Sequence, residues 1–143
     1  MLTLNDHHTS TQMITLPKFT FTHAKLYKDF IIYIKERIYL CMVNLNTSEI
    51  TDIGWHDDEI VAMDVSESTI VTIDRSGSIY IWKNLQLGDR IRIQDLENLS
   101  DDYKNIPYFE MGYPYLLKVS RSCIAFSTDH GILVIRSLFL TNN

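Results

Sequence analysis

Three short apolar hairpins recur along this chain, and that recurrence limits its fold more than any other feature. Phe30-Ile31-Ile32-Tyr33-Ile34 is parted from Ile38-Tyr39-Leu40-Cys41-Met42-Val43 only by the charged Lys35-Glu36-Arg37. Ile70-Val71-Thr72-Ile73 and Ile79-Tyr80-Ile81-Trp82 flank Asp74-Arg75-Ser76-Gly77-Ser78, and Cys123-Ile124-Ala125-Phe126 and Ile132-Leu133-Val134-Ile135 flank Ser127-Thr128-Asp129-His130-Gly131. Short runs rich in β-branched and aromatic residues, bounded by turn residues, read as paired strands. No segment holds a helical period over three turns.

The hairpins align with one another. An offset of 54 residues lays Val65-Ser66-Glu67-Ser68-Thr69-Ile70 on Val119-Ser120-Arg121-Ser122-Cys123-Ile124, Gly77 on Gly131 and Ile81 on Ile135. Ile31 falls on Ile70 at an offset of 39, while Ile38 and Leu40 fall on Ile79 and Ile81 at 41, which implies a slip of two residues at the Lys35–Arg37 turn. A unit of about 40 residues is the length of a four-stranded propeller blade. The expected strands are 23–27, 30–34, 37–43 and 49–53 in the first unit and 60–65, 69–73, 78–82 and 90–94 in the second. The third has 115–120, 123–127 and 132–138, with no fourth strand after Leu140. The expected fold class is all-β, an incomplete β-propeller of about three four-stranded blades. It spans 19–143, after a flexible segment 1–18 and with an insertion at 96–113.

The stretch Gly54 to Lys83, GWHDDEIVAMDVSESTIVTIDRSGSIYIWK, resembles one blade of a WD40 β-propeller. Ile60 stands four residues after His56, Trp82 ends the third strand 26 residues after it (82 − 56), and Thr72 stands two before Asp74. Lys83 replaces the aspartate of that family's Trp-Asp pair, Trp55 separates Gly54 from His56, and the Asp74-to-Trp82 spacing is two residues longer than usual. In the other units Cys41 and Arg136 fall near the tryptophan position, and Gly112-Tyr113 stands at the Gly-His place. The resemblance implies that His56, Thr72, Asp74 and Trp82 form a hydrogen-bond network that pins the blade. Each group left unpaired in the interior would cost roughly 1–3 kcal/mol. It also implies a non-enzymatic protein-interaction scaffold or adaptor, such as a ubiquitin-ligase substrate receptor or a complex subunit. The stretch Ile70 to Asp89 is also similar to RCC1-type repeats, through Ile79-Tyr80-Ile81-Trp82 and the following Gln86-Leu87-Gly88. That alternative implies a propeller regulating a small GTPase.

No catalytic set is expected. Thr72 lacks a nucleophile elbow, and no phosphate loop is present. Asp57-Asp58-Glu59 lacks the alternation and glycine of a calcium loop. His7-His8 has no third ligand nearby, and Cys41 and Cys123 have no second ligand at metal spacing. No cofactor or metal is therefore expected, and two buried reduced thiols suit the cytosol or nucleus.

The net charge of −5, with no basic run longer than two residues, disfavours a nucleic-acid partner. The most apolar stretch, Phe30 to Val43, holds Lys35, Glu36 and Arg37, which disfavours a membrane span. The expected partners are other proteins. The insertion carries Tyr103, Tyr108, Phe109 and Tyr113 among acidic residues, which marks it as a candidate partner-binding loop. Closed propellers have typically four to eight blades. Three units therefore suggest a piece of a larger ring, or a ring completed by a larger complex or by copies of the chain. Met13–Leu16 is a candidate strand for the open place in the third unit.

Overall fold

The computed structural model describes residues 9–16, 21–96, 116–128 and 131–136. The described residues form eleven strands in three antiparallel sheets. Blade 1 holds β1 Phe21–Tyr27, β2 Phe30–Lys35, β3 Tyr39–Asn44 and β4 Ile50–Trp55. Blade 2 holds β5 Ile60–Ser66, β6 Thr69–Asp74, β7 Ser78–Lys83 and β8 Gln86–Arg92, then a 3-10 turn at Ile93–Asp95. Blade 3 holds β9 Leu117–Val119, β10 Cys123–Thr128 and β11 Gly131–Arg136. Strand order follows chain order in each sheet, the up-and-down meander of a propeller blade.

The core lies between the sheets. Period-2 alternation sends neighbouring residues of one strand to opposite faces. Ile32, Ile34 and Leu40 of blade 1 pack against Ile60, Met63, Ile70, Tyr80 and Trp82 of blade 2. On the other face of blade 2, Val71, Ile73, Ile79 and Ile81 meet Leu117, Ile124, Phe126 and Ile135 of blade 3. Because blade 2 is covered on both faces, β6 is buried at every position.

The pairing register corrects the alignment of the units. Ile70 faces Trp82 and Ile31 faces Val43, each pair twelve residues apart (82 − 70, 43 − 31). The two hairpins have equal turns, so the expected two-residue slip is absent. Val43, not Cys41, holds the place of Trp82, and Cys41, facing Tyr33, holds that of Tyr80. In blade 3 Ile124 faces Ile135, eleven residues away (135 − 124), so Ile135 rather than Arg136 holds the tryptophan place. Gly131 misleads the alignment, because it opens β11 opposite Thr128 whereas Gly77 lies inside the turn. A one-residue shift reverses the face of every side chain. Ile81 and Ile135, superposed by sequence, therefore meet across the interface between blades 2 and 3.

Two further expectations change. The fourth strand of blade 2 starts at Gln86 rather than Arg90, because Asn84 and Leu85 both adopt positive φ (51° and 66°) and close a two-residue hairpin. Met13–Leu16 is not a strand. Ile14 and Leu16 instead pack on Tyr33, Cys41 and Val43, on the face of blade 1 away from blade 2. Gln12 Nε2 anchors that segment by donating to the Leu45 carbonyl at 2.7 Å.

Candidate functional site

His56 leaves the end of β4 and stands on the link between blades 1 and 2. Its backbone N–H donates to Ile38 O at 2.9 Å, and Ile60 N donates to Arg37 O at 2.7 Å, so the link is stitched to the β2–β3 turn. Thr72 and Asp74 lie two apart on β6 and share a face, while Trp82 lies on β7. All four side chains are buried.

They form one chain of hydrogen bonds with a fixed direction. The Trp82 indole N–H can only donate, and it does so to Thr72 Oγ1 at 2.9 Å. The Thr72 hydroxyl then donates to His56 Nε2 at 2.6 Å, which leaves the imidazole proton on Nδ1. Nδ1–H donates to Asp74 Oδ2 at 2.9 Å. The other carboxylate oxygen, Asp74 Oδ1, accepts from Ser76 N at 3.0 Å, Ser76 Oγ at 2.6 Å and Ser78 N at 3.1 Å. Burial pushes the Asp74 carboxyl upward, but the hydrogen bonds from His56, Ser76 and Ser78 outweigh it and hold the group below its ordinary value. The His56 ring stacks on Tyr80 with centroids 3.7 Å apart.

A hydroxyl on an imidazole on a carboxylate is also the order of a hydrolytic triad. Thr72 differs from a nucleophile in its surroundings. Its side chain has no exposed surface, and its oxygen already accepts the Trp82 N–H. A carbonyl carbon has no line of approach to Oγ1. Among the described residues no group of three or more His, Cys, Asp or Glu side chains is placed to hold a metal ion. Cys41 donates to Asp52 Oδ1 at 3.1 Å, and burial with that carboxylate pushes its thiol up to about 12. Such a thiol stays protonated and unreactive.

The surface outside this network carries a feature that the strand pattern hid. Trp55, the last residue of β4, is 63% exposed, and Leu87 on β8 is 37% exposed. With Ile53, Gly54, Asp57, Tyr80, Trp82 and Arg90 they line a cleft of about 240 Å³ between the outer strands of blades 1 and 2. The Arg90 guanidinium lies 4.8 Å over the Tyr80 ring. A second cleft, of about 400 Å³, shares Asp57, Tyr80 and Arg90 and adds Arg92 and Asp95. The outer edge of blade 2 thus offers a continuous groove, apolar at Trp55 and Leu87 and polar toward Arg92. Trp55 follows Gly54 at the end of a strand, and its outward direction depends on the β3–β4 bulge between Leu40 and Cys41, which no local pattern announces.

Asp64 also escaped sequence reasoning. On the inner strand of blade 2 it accepts Val119 N of blade 3 at 2.8 Å through Oδ2 and faces Lys25 Nζ of blade 1 at 3.8 Å through Oδ1. One carboxylate therefore touches all three blades. The candidate loop residues Tyr103, Tyr108, Phe109 and Tyr113 lie outside the described residues.

No protein-family model matches the chain, and no curated protein is similar to it. Solved structures are. The computationally designed Ika8 protein matches with a TM-score of 0.60 at 13% identity, over 82% of this chain and 33% of that one. The designed Ika4 protein matches with a TM-score of 0.55 at 14% identity, over 81% of this chain and 65% of that one. A chain in the S. cerevisiae complex of Dbp5 bound to Nup159, Gle1, IP6 and ADP matches with a TM-score of 0.54 at 13% identity, over 94% of this chain and 34% of that one. This chain therefore spans between a third and two thirds of the lengths of the structures it resembles. Their shared architecture is the propeller, and at this identity the likeness establishes fold alone: the chain folds as consecutive blades of a β-propeller.

Proposed function

We propose that this chain is a non-enzymatic protein-interaction scaffold of the WD40-like kind, and that the Trp55 groove is its contact surface. The observation that carries the reading is Trp55 itself, a large aromatic 63% exposed beside Leu87 and an Arg90–Tyr80 stack. Trp, Tyr and Arg are the side chains that dominate measured interface energies. The groove suits an extended partner segment with an apolar anchor for Trp55 and Leu87 and an acceptor for Arg90. The WD40-like assignment rests on His56, Thr72, Asp74 and Trp82 joining in one directed chain. The non-enzymatic part rests on the enclosure of Thr72. The insertion with Tyr103, Tyr108, Phe109 and Tyr113 is a second contact element in this reading. Two free thiols suit work in the cytosol or nucleus.

The test is quantitative affinity capture from cells with wild type, Trp55→Ala and a chain lacking 97–113, each first shown to be folded by circular dichroism. Loss of a central aromatic anchor weakens binding by about 30-fold or more. Trp55→Ala is therefore expected to lose the partner set that wild type enriches. Equal enrichment by wild type and Trp55→Ala would remove the groove from the assignment.

A further inference from the structure

An irregularity in pairing turns two side chains of β8 to the same side of the Trp55 groove. Tyr80 faces Arg90 and Ile81 faces Asp89, but Trp82 faces Leu87, so Gly88 is an extra residue in β8. Cross-strand partners share a face of the sheet. Tyr80 and Trp82 lie two apart on β7, and both face blade 1. Leu87 and Arg90, three apart in sequence, therefore stand on that face with the rise of only two residues between them, about 7 Å. Without the bulge they would point to opposite faces. Trp55 of blade 1 lines the cleft together with both.

Arg90 is oriented but not neutralised. Its guanidinium lies 4.8 Å over the Tyr80 ring, and that ring stacks on the buried His56 at 3.7 Å. Arg90 is exposed, and none of the ion pairs among the described residues involves it. A stacked guanidinium loses little further freedom on binding and keeps its planar row of donors, which a carboxylate matches with two parallel hydrogen bonds. Asp57 lines both clefts beside Arg90. It disfavours an acceptor that carries a second negative charge, since like charges across an interface repel. Because Arg90 belongs to both clefts, the groove runs past it to Leu87 on one side and to Arg92 on the other. A passing segment fills that groove, whereas a chain end would stop midway.

We propose that the groove takes an internal, extended segment of a partner protein that carries an apolar side chain and a carboxylate two residues apart. The apolar side chain packs on Trp55 and Leu87, and the glutamate or aspartate pairs with the Arg90 guanidinium. Residues two apart in an extended segment point to the same side at a separation of about 7 Å, which matches the Leu87–Arg90 spacing that the bulge sets. The inference rests on the Trp55 groove being the contact surface, and it names the pattern that the groove reads.

NMR titration of the full chain with synthetic peptides is the test, read at the Trp55 indole N–H and the Arg90 Nε–H. The peptides are Ser-Thr-Leu-Thr-Glu-Thr-Ser and its reverse order, Ser-Thr-Glu-Thr-Leu-Thr-Ser, each acetylated and amidated. Comparison peptides replace the glutamate by glutamine or phosphoserine, or set leucine and glutamate side by side. At least one order is expected to shift both signals to saturation. Its glutamine and side-by-side forms are expected to bind more weakly, the glutamine form by about tenfold or more. Arg90→Gln, folded by circular dichroism, is expected to lose the preference for glutamate over glutamine, and Arg90→Lys to recover only part of it. Equal binding of glutamate and glutamine peptides overturns the proposal, as does tighter binding of phosphoserine, full recovery in Arg90→Lys, or no saturable shift in either order. Affinity capture separates this failure from failure of the groove. A partner set lost by Trp55→Ala but kept by Arg90→Gln leaves the groove in place and removes the carboxylate, whereas a set kept by both removes the groove itself.

Discussion

At the scale of single residues, the chain from Trp82 to Asp74 is held by hydrogen bonds of 2.6–2.9 Å between side chains that are all buried. Asp74 is its charged end, and its carboxyl is held below the ordinary value of 3.8. A depressed native value means that the contribution is complete above the unfolded value and is lost as pH falls through the native one. Thermal or urea unfolding is therefore expected to show stability falling below about pH 4. Asp74→Asn is expected to be less stable at neutral pH by about 2 kcal/mol, as for a hydrogen bond to a charged group, and flatter in acid. An acid limb that stays as steep in Asp74→Asn would assign the titration elsewhere. Gly54 is the other residue without a substitute. A Cβ there would stand 2.5 Å from Trp82 Cη2 and 2.6 Å from Cζ3, inside the packed ring. Gly54→Ala is expected to cost about 1–3 kcal/mol in urea unfolding, the usual penalty of overpacking. His56, Thr72, Asp74 and Trp82 stood out in the sequence because their residue types and spacings resemble those of a known repeat. Gly54's role was illegible, since it lies in a packing contact with the Trp82 ring that no residue pattern encodes.

At the scale of elements, the hairpins were legible because period-2 patterning and β-branched runs are properties of contiguous residues. Their turns were less so. Gly77 adopts φ 88°, donates its N–H to Asp74 O at 3.0 Å and accepts Ile93 N at 2.9 Å, so one residue joins the β6–β7 turn to the end of β8. A side chain in that conformation is strained by about 1–2 kcal/mol. Gly77→Ala is expected to lower the midpoint of unfolding accordingly, and an unchanged midpoint would mean that the turn relaxes. Asn84-Leu85 shows the opposite case. Its two positive φ values close a tight hairpin with no glycine to announce it, and the start of β8 was misplaced for that reason. The fold tolerates leucine there because its side chain packs on the cluster between blades 1 and 2.

At the scale of the whole molecule, three sheets are held by two apolar interfaces and by one carboxylate near their inner strands. Asp64→Ala leaves the half-buried Val119 N–H without its acceptor, a loss of about 1 kcal/mol. Hydrogen exchange at Val119 is expected to accelerate in Asp64→Ala and to stay nearly native in Asp64→Asn, which keeps an acceptor oxygen. The exposed partner Lys25 adds little, since such pairs contribute about 0–1 kcal/mol. Equal exchange in wild type and Asp64→Ala would show that the inner strands are held by packing alone. By itself the sequence determined the strand class and the repeat of about 40 residues, because each is written in the local pattern, and the family resemblance of Gly54–Lys83 singled out the residues of the buried hydrogen-bond chain. Only the tertiary structure decided which residue replaces Trp82 in blades 1 and 3, where Asp64 and Trp55 point, and which residues of blade 2 face blade 1 and which face blade 3. Those outcomes depend on register across turns and on contacts between blades, where a shift of one residue exchanges buried for exposed and leaves the local pattern unchanged.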